Sequence, residues 1–137
     1  MKFLFCLALA AMVTVQYCSA CTCSPNNTVQ EKYCNADFLI LVKVLNDGIV
    51  YGGNRVYRIN LIATYRSKVY GGVDVRKLYT ATNSAACGVI LQKGYYYILT
   101  GYYPRNIRQR QIHTGLCYVQ QRFRFNPQRV YKPPRCN

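Results

Sequence analysis

Residues 38–65 read FLILVKVLNDGIVYGGNRVYRINLIATY, and this stretch indicates the fold class most clearly. Two runs rich in aliphatic and aromatic residues are separated by Asn, Asp and Gly, which is typical of consecutive β-strands joined by turns. In the second run, polar and apolar residues alternate from Val56 to Leu61. That alternation indicates a strand with one face buried and the other in water.

The same pattern continues along the chain. We predict strands over residues 38–45, 55–65, 73–80, 88–91 and 95–102. Residues 92–94, QKG, predict a hairpin turn, and Thr28 with Glu31 three residues later predicts a capping box at the start of a short helix. A mainly β chain with five strands and short flanking helices predicts a five-stranded closed barrel of the oligonucleotide/oligosaccharide-binding (OB) type. Composition alone does not separate such a barrel from a sandwich.

The first 20 residues form a compositional unit of their own. Lys2 supplies a positive start, residues 3–15 are almost wholly apolar, and the small residues Ser19 and Ala20 precede a cleavage point. This pattern predicts a secretory signal peptide over residues 1–20 and a secreted protein of the extracellular space. The apolar run is too short for a membrane span, so no transmembrane segment is expected. The remaining residues, 21–137, suit one compact domain, which we expect to be a monomer.

Six cysteines follow the predicted cleavage point: Cys21, Cys23, Cys34, Cys87, Cys117 and Cys136. An even number in a small exported chain predicts three disulfides, because the secretory route is oxidising. A zinc site at Cys21 and Cys23 is the alternative, but the other cysteines are scattered singly and the chain has one histidine, His113. A hydrogen-bonded structural role is expected for that histidine.

The charge of the chain is strongly positive. Without Lys2, 17 Lys and Arg side chains stand against four carboxylates, a formal net charge of +13. Polyanions are therefore expected partners, and outside the cell these are heparin-like glycosaminoglycans rather than nucleic acid. The candidate polyanion-binding residues are Arg105, Arg108, Arg110, Arg122 and Arg124. The alternative for each of these charges is a solvated basic face that aids solubility.

An enzyme is the least favoured class of function. Four acids, one histidine and six paired cysteines leave no convincing nucleophile and base, and no cofactor of the chain's own is expected.

Two blocks of sequence carry a resemblance to a known family. The first is CTCSP at residues 21–25 followed by CNAD at 34–37, and the second is LYT at 78–80, ACGV at 86–89 and YILTG at 97–101. With HTGLC at 113–117 and the final Cys136, these blocks resemble the tissue inhibitors of metalloproteinases and the wider netrin-like (NTR) modules. The resemblance extends over residues 21–137 and identifies them as an NTR inhibitor domain. Larger family members carry a second, cysteine-rich domain, and functions attributed to that domain are not expected here.

The resemblance implies a disulfide pairing and a site. The pairs would be Cys21 with Cys87, Cys23 with Cys117, and Cys34 with Cys136. The α-amino nitrogen and carbonyl oxygen of Cys21 would chelate the active-site zinc of a target metalloendopeptidase of the matrix metalloproteinase type, and displace the water needed for hydrolysis. The side chain of Thr22 would enter the specificity pocket beside the metal. The resulting inhibitory edge consists of Cys21, Thr22, Cys23, Ser24, Pro25, Ala85, Ala86 and Cys87.

Each of these assignments has an alternative. The alternative for Cys21 and Cys23 is a simple staple of the barrel, although their position after the predicted cleavage point favours the functional interpretation; the alternative for Thr22 is a spacer, and for residues 85–86 a close approach to a disulfide. A netrin-like binding module that engages glycosaminoglycans or extracellular proteins without inhibiting a protease is the competing function. Asn26 begins an Asn-Asn-Thr triplet and is a possible glycosylation site beside the proposed edge.

Overall fold

A computed structural model describes residues 21–25, 28–105 and 108–137. The predicted signal peptide and Asn26 lie outside the described residues. In chain order the elements are α1 (Val29–Asn35), β1 (Phe38–Val44), β2 (Ile49–Tyr51), β3 (Asn54–Ser67), β4 (Val73–Ala81), a 3-10 helix (Ser84–Ala86), β5 (Tyr96–Gly101), β6 (Arg110–His113) and β7 (Gln120–Phe123).

Strand β1 is the centre of the structure. It pairs with β3 on one side and with β5 on the other, both antiparallel. Because successive side chains of a strand point to opposite faces, its apolar run supplies two cores. Phe38, Ile40 and Val42 belong to the larger core, and Leu39 and Leu41 to the smaller one. The apolar run that is prominent in the sequence therefore lies between two packed layers.

Strand β3 has 14 residues and pairs with three strands, β1, β2 and β4. Its first five residues pair with β4, and the stretch from Ile59 to Ser67 pairs with β1, with two shifts of register. Such irregularities bend and twist a long strand. Strand β3 therefore carries the sheet from the β1–β5 layer to the β4–β6 layer.

The fold class predicted from the sequence, mainly β with short helices and three disulfides, is confirmed. The closed five-stranded barrel is wrong. The sheet formed by the described residues has seven strands, in the order β6-β4-β3-β1-β5-β7 with β2 attached to β3. Within the described residues, one isolated bridge between Tyr102 and His113 joins the ends of β5 and β6. This single bridge is not a ladder, so the sheet does not close into a barrel.

The strand predicted over residues 88–91 is also wrong. Two of its N–H groups bond to side chains: Val89 N–H donates to Thr80 Oγ1 (3.0 Å) and Leu91 N–H donates to the Tyr57 hydroxyl (3.0 Å). These side chains take the place of a strand partner, and the segment belongs to no sheet. The turn at residues 92–94 forms, with Gly94 at φ 86°, but it does not join two paired strands.

Helix α1 begins as predicted. Thr28 Oγ1 accepts a hydrogen bond from Glu31 N–H (3.2 Å), and the Glu31 carboxylate accepts one from Thr28 N–H (2.7 Å). The helix carries Cys34, whose disulfide to Cys136 holds the end of the chain against it. No helix in the described part of the chain has the length and apolar character that a membrane crossing requires.

Candidate inhibitory edge

Two neighbouring disulfides tether the segment that begins at Cys21. Cys21 is bonded to Cys87 and Cys23 to Cys117, with Cα–Cα distances of 5.0 and 5.3 Å. With Cys34–Cys136, this is the pairing that the family resemblance implied. The sulfur atoms of Cys21, Cys87 and Cys117 lie within 4.8 Å of one another. Because all three are oxidised, none offers a thiolate to a metal, and the cluster acts as a covalent staple.

The 3-10 helix forms the ridge to which Cys21 is attached. Asn83 caps this helix, and its side-chain oxygen accepts a hydrogen bond from Ala86 N–H (2.9 Å). Cys87 follows in the left-handed conformation with φ 63°, and its N–H donates to Ser84 O (3.1 Å). Backbone strain at a non-glycine residue persists where surrounding contacts hold it. The cap and the disulfide supply those contacts here.

A backbone hydrogen bond joins the two anchor points. Leu116 N–H donates to Cys87 O (2.9 Å), and Leu116 directly precedes Cys117. A Cβ atom at Gly115 would lie 2.7 Å from that same carbonyl oxygen, so the close approach requires glycine. The anchors of Cys21 and Cys23 are thus connected to each other as well as to the tethered segment.

The tethered segment itself faces solvent. Thr22, Ser24 and Pro25 are exposed, whereas Cys21 and Cys23 are half-buried. Ala85 and Ala86 are exposed on the adjoining ridge. All eight residues of the predicted edge therefore lie together, with the Thr22 side chain presented between two fixed points.

The β2–β3 hairpin reaches the same edge. Asn54 pairs with Ala81, at the end of β4 that leads into the ridge. Asn54, Cys87 and Cys117 line one cavity of about 200 Å³. Ile49, Val50 and Tyr51 of this hairpin are exposed, so the hairpin presents apolar side chains to solvent.

His113 is buried in an aromatic stack next to these anchors. Its ring stacks on Tyr79 at 5.0 Å with an interplanar angle of 8°, and its Nε2 lies 2.9 Å from Gln111 Oε1. Burial lowers the pKa of the imidazole below its ordinary value. These contacts fit the structural role that the sequence predicted.

The five candidate polyanion-binding arginines are all exposed but do not form one cluster. Arg105 and Arg110 line a common cleft with Tyr103, just after β5. Arg122 lies over the ring of Tyr95 at 5.1 Å, just before β5. A six-residue strand is roughly 20 Å long, so the basic residues form two separate groups.

Sequence reasoning missed three residues of this edge: Asn83, Gly115 and Leu116. An Asn followed by Ser-Ala-Ala is a signal for a helix cap and was available in the sequence. The contacts of Gly115 and Leu116 with Cys87 join residues nearly 30 positions apart. No local pattern predicts such contacts.

Comparison with known proteins identifies relatives of this chain. The family model described as "Tissue inhibitor of metalloproteinase" matches residues 19–126. The chain is 33% identical over 117 residues to metalloproteinase inhibitor 3 of Scyliorhinus torazame, which covers 81% of this chain and 51% of that protein. It is 38% identical over 82 residues to metalloproteinase inhibitor 2 of Homo sapiens, covering 55% and 36% respectively. The chain thus spans about half, or less, of the length of these relatives.

Proposed function

Because this chain belongs to the tissue inhibitor of metalloproteinase family, we propose that it inhibits zinc metalloendopeptidases through the edge that begins at Cys21. Its matched relatives are named metalloproteinase inhibitors. The proposal includes removal of residues 1–20 as a signal peptide and export of residues 21–137 to the extracellular space. Cleavage after Ala20 would give Cys21 a free α-amino group.

The proposal rests on one observation, that disulfides hold the residues on both sides of Thr22. A flexible terminus would lose much of its binding free energy to ordering on the protease. Here the disulfides at Cys21 and Cys23 hold both sides of Thr22, and the Leu116–Cys87 hydrogen bond holds the two anchors together. The terminus is therefore ordered before it meets a partner.

The chemistry follows from the two polar atoms of the first residue. The α-amino nitrogen and the carbonyl oxygen of Cys21 are spaced to close a five-membered chelate ring on one metal ion. A catalytic zinc keeps an open position for water, and a bidentate ligand there removes the water that hydrolysis needs. Protons compete with zinc for the amine, so inhibition should weaken as the pH falls.

Thr22 contributes recognition in this proposal. Its β-branched side chain has restricted rotamers and is exposed between the fixed cysteines, so little further ordering is needed when it enters a pocket. Truncating a residue that fills a central pocket costs about 2 kcal/mol or more, which is roughly a 30-fold rise in the inhibition constant. The variant Thr22→Gly should show a loss of that size but should keep residual inhibition through the Cys21 chelate.

The test is a set of inhibition constants against several zinc endopeptidases. The protein is first shown by amino-terminal sequencing to begin at Cys21. Thr64→Gly is the matched control. Thr64 is an exposed threonine in the half of β3 that pairs with β1, away from the end of β3 that reaches the edge. The control should inhibit as the parent protein does. Failure of the correctly processed parent protein to inhibit any of the enzymes would refute the proposal.

A basic binding module is the second candidate. Arg105 and Arg110 converge on one cleft, and their charges favour a polyanion such as a heparin-like glycosaminoglycan. This surface is separate from the tethered edge, so the two functions are compatible. Asn26, the possible glycosylation site, lies outside the described residues, and its modification remains a prediction.

A further inference from the structure

Strands β3 and β4 diverge after a short paired stretch. They pair from Asn54 to Arg58 on β3, and the remainder of β3 pairs with β1 instead. On its other side, β4 pairs with β6 through Val73 and Asp74 and again from Leu78, with an interruption between. A wedge-shaped opening therefore separates the second half of β3 from the first half of β4.

This opening is an apolar cavity of about 520 Å³, a volume typical of small-molecule sites. Its inner wall consists of core side chains, Ile40, Leu61 and Ile112. At its rim, Tyr70 is 96% exposed and Val75 is 43% exposed. Apolar side chains are thus present both at the inner wall and at the rim, which suits an aliphatic chain more than a polar ligand.

A basic cleft adjoins the cavity. The two share Val69 and Tyr103, and the cleft is also lined by Lys68, Arg105 and Arg110. Arg110 is placed at the junction because its N–H donates to Gly72 O (3.2 Å), and Gly72 lines the apolar cavity.

One carboxylate, Asp37, also lines the cleft. It is already engaged: Oδ1 lies 3.3 Å from Lys68 Nζ, and Oδ2 accepts a hydrogen bond from Tyr103 N–H (3.0 Å). The charges of Arg105 and Arg110 therefore exceed the negative charge of the cleft, and its net charge favours an anion.

We propose that the cavity and the cleft together bind a single-chain aliphatic carboxylate, with the chain in the wedge and the carboxylate at Arg110. A guanidinium group pairs with a carboxylate through two parallel hydrogen bonds. The Ser67 and Tyr103 hydroxyls, 2.9 Å apart, stand at the boundary between the apolar and the basic parts. The site is independent of protease inhibition, because Asn54 at the start of β3 lines the inhibitory edge and the end of β3 lines this cavity.

Titration calorimetry with dodecanoate, below its micelle concentration, tests the proposal on the disulfide-bonded protein. Saturable binding of one dodecanoate per chain is expected, and each methylene removed should weaken it by up to about fourfold. Two probes of equal chain length isolate the charge. Dodecanol should bind less tightly than dodecanoate, and dodecyltrimethylammonium least tightly of the three.

Two pairs of variants locate the ligand. Arg110→Gln should weaken dodecanoate binding about fivefold and leave dodecanol binding unchanged, whereas the exposed control Arg129→Gln should change neither. Val75→Glu places a carboxylate at the rim of the apolar cavity and should also weaken dodecanoate binding. The control Val130→Glu makes the same change at an exposed valine outside the cavity.

Several results would overturn the proposal. Absence of saturable binding by dodecanoate would refute the site as a whole. Equal affinity for the anionic and cationic probes, or wild-type affinity in Arg110→Gln, would refute the role of the basic cleft. Wild-type affinity in a folded Val75→Glu protein would refute the location. If Val75→Glu does not fold, the affinity of Arg110→Gln for dodecanoate decides whether the ligand binds at this site.

Discussion

The hydroxyl of Tyr57 offers the sharpest test of how the segment after Cys87 is held. Tyr57 is fully buried, and its hydroxyl accepts a hydrogen bond from Leu91 N–H (3.0 Å) and donates to Val89 O (3.4 Å). Leu91 is 4% exposed, so its N–H has no access to water. Tyr57→Phe removes one oxygen atom and leaves that amide without its partner.

The size of the effect follows from these contacts. A buried donor that loses its partner lowers the free energy of unfolding by about 1–3 kcal/mol. The bond from the Tyr57 hydroxyl to Val89 O is long, at 3.4 Å, so its loss adds little. We therefore expect the free energy of unfolding to fall by about 2 kcal/mol. With a urea slope of about 2 kcal/mol per molar, the midpoint should fall by about 1 M while the slope stays constant.

Urea unfolding with the disulfides intact measures this change, and hydrogen exchange of the Leu91 amide reports it locally. Tyr51→Phe is the matched control, because Tyr51 is 78% exposed and its loss of a hydroxyl should change stability by less than about 0.5 kcal/mol. Equal midpoints for the two variants, with Leu91 still protected from exchange in Tyr57→Phe, would refute the assignment of Tyr57 as the partner of this segment.

Three further predictions concern acid stability, the anchors and the basic surface. Burial lowers the pKa of His113, so the stability it contributes is complete above about pH 6.5 and falls as the pH drops from there toward its folded pKa. The urea midpoint should thus decline from pH 7 to pH 5, and His113→Gln should flatten that decline. Gly115→Ala should cost about 1–3 kcal/mol by overpacking against Cys87 O, and it should weaken inhibition although it alters no residue of the exposed edge. An unchanged inhibition constant in that variant would contradict the role of the anchor contact. Replacing Arg105, Arg108 and Arg110 by Gln should lower the salt needed for elution from heparin, because fewer counterions are released. Elution of the parent protein at the same salt as a charge-matched control protein would contradict polyanion binding.

The sequence predicted those elements whose signals are local and strong. Strands β1, β3, β4 and β5 have apolar runs or clear alternation, and the α1 cap has the Thr28–Glu31 pair. Strand β2 was missed because it has only three residues. Strands β6 and β7 read RQIH and QQRF, in which polar residues hide the strand pattern. They form strands because β4 and β5 offer free edges, and that information is tertiary.

For the candidate site, too, the sequence predicted the features with local signals and missed those that depend on tertiary contacts. The six cysteines predicted a disulfide framework, but six cysteines permit 15 pairings and only the family resemblance selected one. The bond between Cys87 O and Leu116 N–H depends on how two distant loops meet, and so does the close approach of Gly115. The apolar wedge likewise arises from the point at which β3 leaves β4 for β1, which the strand patterns do not specify.

The central claim is that inhibition requires the free α-amine of Cys21. Adding a single Ala before Cys21 tests it most directly, because the added residue occupies the space where the metal must sit and converts the amine into an amide. Inhibition constants against the same zinc endopeptidases should rise beyond the measurable range, while the urea midpoint and the salt of elution from heparin stay unchanged. Equal potency of the extended and the parent protein would contradict chelation by Cys21.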